Sequence, residues 1–98
     1  MINKTYILNT IQLHKSKLNQ IGILKIGLFG SYARDEQTNT SDIDILIEFV
    51  PERENFDNYM AAYDYIEQLF KDKKVEIVTT NGLSPYIGSR ILQEVVYA

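Results

Sequence analysis

Asp42 and Asp44 flank a single isoleucine in the stretch "GLFGSYARDEQTNTSDIDILIEF", and ten residues, Tyr32 to Ser41, separate them from the pair Gly30-Ser31. Carboxylates at i and i+2 fall on one face of a strand, where they can share a hard divalent cation such as Mg²⁺ or Mn²⁺. Gly30-Ser31 supplies the complementary chemistry. Gly30 admits close backbone approach, the Ser31 hydroxyl and neighbouring N–H groups can donate to phosphate oxygens, and the short helical turn that follows points its N-terminus at the anion. Arg34, one turn on, can pair bidentately with the same polyphosphate. The stretch therefore holds both halves of a metal-triphosphate site.

Strands must carry these groups. Ile23 to Phe29 is a short run rich in branched residues and reads as a buried strand that delivers the chain at Gly30-Ser31, followed by a helical turn at Tyr32-Ala33-Arg34 and a polar loop from Asp35 to Ser41. From Asp42 to Phe49 the pattern alternates: Ile43, Ile45, Ile47 and Phe49 share one face, and Asp42, Asp44, Leu46 and Glu48 the other. "KVEIVTT", Lys74 to Thr80, is a third strand. The intervening segment carries Phe56, Tyr59, Met60, Tyr63, Ile66, Leu69 and Phe70 at helical spacing, so strand two, helix and strand three form a parallel βαβ unit. Glu76, near the start of strand three, then joins Asp42 and Asp44 at one sheet edge. The short loop requires strand one to run antiparallel to strand two. Three carboxylates brought together this way repel one another and call for a cation.

Two more helices are expected. Ile7, Leu8, Ile11 and Leu18 predict one amphipathic helix from about Lys4 to Leu18, ended by Gly22. Ser84-Pro85 predicts the N-cap and first position of a last helix whose apolar face is Ile87, Ile91, Leu92 and Val95. The expected fold class is α/β (α+β), a small mixed β-sheet with helices packed on it, in one domain over 1–98.

At 98 residues, with 45% hydrophobic and 23% charged residues, the chain suits one modest core and leaves little room for a separate substrate-binding body. The net charge of -3 argues against direct nucleic-acid binding through a basic surface. No cysteine is available for a disulfide or thiolate site, which fits a reducing cytoplasm, and no apolar run is long enough to span a bilayer.

"GSYAR" at 30 to 34, "DID" at 42 to 44 and "VEIVT" as a third strand together resemble the minimal nucleotidyltransferase (MNT) family of the DNA polymerase beta-like nucleotidyltransferase superfamily. The resemblance covers nearly the whole chain. It implies an antitoxin encoded beside a HEPN-domain ribonuclease toxin, forming a hetero-oligomer with it and transferring AMP from ATP to a toxin tyrosine with release of pyrophosphate. Carried over by position, Gly30 and Ser31 would hold the triphosphate, and Asp42 and Asp44 would ligate two Mg²⁺ ions. Glu76 would serve as third carboxylate, helping bind one metal and orienting or deprotonating the acceptor hydroxyl. The family more often has aspartate at the position of Glu76 and glycine at that of Asp35. If position 35 requires a positive φ, aspartate can adopt it at some cost.

Each signal has a plainer reading. Asp42 and Asp44 could merely begin a strand at a solvated edge, Gly30-Ser31 alone would be an ordinary turn, and Glu76 could pair with Lys74 or Lys25. Arg34 could pair with Asp35 or Glu36. His14 reads as a helix-surface residue, and Tyr59 and Tyr63 as core or interface residues. Two other functions compete: an antitoxin that neutralises by binding alone, and nucleotidyl transfer to a small molecule such as an aminoglycoside, which would need an additional acceptor-holding domain.

Overall fold

A computed structural model of the chain describes residues 2–98. Strands β1 (Ile23–Phe29), β2 (Ile43–Phe49), β3 (Val75–Thr79) and β4 (Val96–Tyr97) form one sheet in the order β3-β2-β1-β4. β1 and β2 are antiparallel and β2 and β3 parallel, as the loop length and the βαβ pattern require. The helices are α1 (Lys4–Leu13), α2 (Lys15–Ile21), the single turn α3 (Gly30–Ala33), α4 (Phe56–Leu69) and α5 (Pro85–Glu94). Ile43, Ile45, Ile47 and Phe49 turn one β2 face into the core with Ile7, Ile11 and Leu18 from α1 and α2, and with Ala62 and Ile66 from α4. The strand alternation therefore holds residue by residue.

Side-chain caps define three helix starts. Asn3 accepts from the Tyr6 N–H at 2.8 Å, Asn55 from the Asn58 N–H at 2.9 Å, and Ser84 from the Ile87 N–H at 3.2 Å. Pro85 occupies the first turn of α5, as expected.

Five sequence expectations are corrected. The first helix is broken at His14, which takes φ -109 and ψ 12. His14 is also no surface residue: it is half-buried, and its Nδ1 lies 2.6 Å from the Tyr65 hydroxyl on α4, an anchor that apolar periodicity does not encode. Phe56 and Met60 of the α4 stripe are exposed, and Ala62 is buried instead, because periodicity marks a shared face but not how far along the helix the core extends. On α5 only Ile91 of the expected apolar side chains is buried, with Ile87 and Leu92 exposed. Finally, Val95 caps α5 rather than extending it, and the chain enters β4 at the β-branched Val96, antiparallel to β1.

Candidate active site

The β1–β2 register sets Phe29 opposite Asp44, so the chain leaving β1 passes directly over the Asp44 carboxylate. Gly30 has φ 76, and a Cβ built there would collide with Asp44 Oδ2. Backbone conformation and space thus independently exclude a side chain at position 30. The helical turn begins at Gly30 rather than at Tyr32, two residues before its expected start, so Gly30-Ser31 forms its opening. Glu36 N–H donates to the Ser31 carbonyl at 2.9 Å and folds the chain back at Asp35, whose φ of 57 is the positive value considered for this position.

The β2–β3 register pairs Asp44 with Glu76. Asp42 immediately precedes β2, and its Oδ2 lies 3.9 Å from Lys74 Nζ. Lys74 thus approaches Asp42, and among the described residues no cation forms an ion pair with Glu76. Burial pushes the Asp44 carboxyl up to about 6, helped by Glu76 in hydrogen-bonding reach and by the charges of Asp42 and Glu94. The parallel-strand argument therefore brings Asp42, Asp44 and Glu76 into one neighbourhood of negative charge, in which Lys74 approaches Asp42 alone.

Among the described residues, no three carboxylate or imidazole groups converge on one metal position. The donor set instead suits a hard cation held by one or two carboxylates, with substrate phosphates and water completing its shell. Opposite the acids lie the phosphate-type donors of Gly30-Ser31, and Ser31 is half-buried at the turn. Arg34 is not free: its Nε donates to Glu36 at 2.9 Å, and its Nη1 donates to both Glu94 oxygens at 3.0 Å. Glu36 and then Glu94 raise its already high pKa.

Sequence reasoning missed Glu94. Its Oε2 accepts from the Gly30 N–H at 2.5 Å. A signal was present in Val95-Val96-Tyr97, a strand-forming run immediately after it. Once β4 pairs Val96 with Leu28, continuing that antiparallel register by two residues sets Glu94 across from Gly30. A separate cavity of about 120 Å³, lined by Ile2, Tyr32, Gln37, Thr38, Asn39 and Lys73, contains none of these site residues.

A mixed sheet carrying neighbouring carboxylates beneath a Gly-Ser turn defines a domain of the nucleotidyltransferase class. The sequence profile of the nucleotidyltransferase domain matches residues 11–98, and the chain belongs to this family. Protein adenylyltransferase MntA of Thermococcus cleftensis is 34% identical over 98 residues, covering 99% of this chain and 97% of the relative. A Methanocaldococcus jannaschii chain provisionally named as a protein adenylyltransferase is 43% identical over 75 residues, 76% of this chain and 78% of its own. The fold is that of a solved protein described as a minimal nucleotidyltransferase, with TM-score 0.81 at 25% identity over 97% of this chain and 95% of that one. A toxin-antitoxin crystal structure with AMP-PNP shares the fold at TM-score 0.63 and 21% identity, over 98% of this chain and 72% of that one.

Proposed function

We propose that the chain is an antitoxin that transfers AMP from ATP to a tyrosine of a cognate HEPN ribonuclease toxin, releasing pyrophosphate and silencing the toxin. The observation that carries this reading is the placement of Asp44, pressed against the Gly30 backbone on one side and flanked by Glu76 on the other. Carboxylates and phosphate donors in contact are what transfer from a metal-complexed nucleotide requires. Relatedness to the adenylyltransferase MntA supports AMP as the group moved and a protein as its acceptor.

Asp42 and Asp44 would hold Mg²⁺, which when bound stabilises the attacking and leaving oxygens during in-line displacement. Gly30 and Ser31 would grip the triphosphate. Glu76, exposed and without a cationic partner among the described residues, would orient the acceptor tyrosine and take its proton as the new oxygen–phosphorus bond forms at the α-phosphorus and the bond to pyrophosphate breaks. Positioning and charge neutralisation supply the catalysis, with no covalent enzyme intermediate.

Neutralisation by binding alone is the second reading, favoured by the Glu94 carboxylate on the Gly30 N–H. The intact mass of the toxin after incubation with the chain, ATP and Mg²⁺ separates the two. A gain of whole AMP units that disappears with Asp42→Asn or Asp44→Asn supports transfer, whereas an unmodified yet silenced toxin sinks it.

A further inference from the structure

Two of the donors best placed to hold a phosphate are already engaged by one side chain. The Gly30 N–H and Arg34 Nη1 both point at the Glu94 carboxylate, at 2.5 and 3.0 Å. A carboxylate presents two oxygens to these donors much as a phosphate would. Glu36 also pairs with Arg34, but its side chain is 66% exposed and touches only Nε, whereas that of Glu94 is 19% exposed and bridges turn and guanidinium. Glu94 is moreover held there facing the like charge of Asp44. That repulsion favours a ligand that brings its own counter-cation.

We infer that Glu94 is a built-in occupant of the phosphate subsite, a carboxylate that an incoming nucleotide's phosphates displace from the Gly30 N–H and Arg34. The inference rests on the nucleotidyltransferase reading above. Rotation of the Glu94 side chain is enough to clear the subsite, so β4 keeps its pairing with β1. Because the free chain holds this carboxylate in place, apparent phosphate affinity is reduced by the fraction of molecules so closed. Glu94 is thus a positioning residue that sets the threshold for nucleotide entry, and phosphate-free adenosine gains nothing from its removal.

The test is calorimetric titration of the full chain with Mg²⁺-ATP and with Mg²⁺-inorganic triphosphate, for wild type, Glu94→Ala and Glu36→Ala. Glu94→Ala is expected to bind both ligands about tenfold more tightly. Glu36→Ala removes an equal charge beside Arg34 without uncovering Gly30, and its affinity stays within about twofold of wild type. Wild-type binding with no gain in Glu94→Ala, or equal gains in both variants, overturns the inference and leaves the nucleotidyltransferase reading standing. No binding of either ligand to wild type or Glu94→Ala overturns both. Should Glu94→Ala fail to fold, NMR of the wild type decides: saturating Mg²⁺-ATP must shift the Glu94 side-chain carboxyl and Gly30 amide resonances together, and an unmoved Glu94 carboxyl refutes displacement.

Discussion

Asp44 on β2 stands level with Glu76 on β3 in the parallel register, so two acidic side chains flank each other beneath the Gly30 backbone. Neither carboxylate has a cationic partner within ion-pair distance among the described residues. The fold thus keeps repulsion at this place that a bound cation would relieve.

Asp44 titrates at about 6 in the folded chain against 3.8 for the ordinary group, so its protonated form is the one the fold favours. Its contribution to stability is complete below the unfolded value and is lost as pH rises through the folded one, about 1 kcal/mol in all after solvent screening. Denaturant midpoints of wild type and Asp44→Asn should therefore converge below pH 3.8, separate as pH rises towards about 6 and stay apart above it, with the variant the more stable. Transfer activity runs the other way, falling at acid pH as protons compete with Mg²⁺ for Asp44.

Gly30→Ala forces a Cβ into Asp44 and a positive φ onto an L-residue. A loss of about 2 kcal/mol in stability is expected, with loss of Mg²⁺-ATP binding, checked by denaturation and calorimetry on the same sample. Unimpaired binding would place the nucleotide elsewhere.

Asp35 sits at φ 57. Asp35→Val should destabilise by about 1–2 kcal/mol, while Asp35→Gly should be neutral or better, because only valine resists the left-handed region. Thermal unfolding of the two variants provides the comparison.

Tyr65→Phe removes the hydroxyl 2.6 Å from His14 Nδ1 at the break between α1 and α2. A loss of about 1 kcal/mol is expected, equivalent to a Tm lowered by about 4–8 °C, with no change in nucleotide affinity.

What the sequence made legible and what it hid divide along physical lines. The β2 alternation was readable because strand periodicity places every residue on a face, and the four apolar side chains at 43, 45, 47 and 49 are all buried. Glu76 was readable through topology, since a βαβ crossover aligns the starts of its two strands. Helix periodicity carries less. It grouped Phe56 and Met60 with Ile66 although both are exposed, and it ran through His14 although the helix breaks there and the imidazole turns to the Tyr65 hydroxyl. Glu94 lay beyond any local pattern, because its meeting with Gly30 depends on a two-residue strand that pairs across the sheet only in the folded chain.

The central claim is AMP transfer through Asp42 and Asp44, and the most direct measurement compares ATP labelled at the α- or the γ-phosphorus with the cognate toxin and Mg²⁺. The account predicts that the α-label alone becomes covalently attached to the toxin, that the γ-label leaves in pyrophosphate, and that Asp42→Asn and Asp44→Asn each abolish both. Attachment of the γ-label, or neutralisation of the toxin with neither label attached, would contradict it.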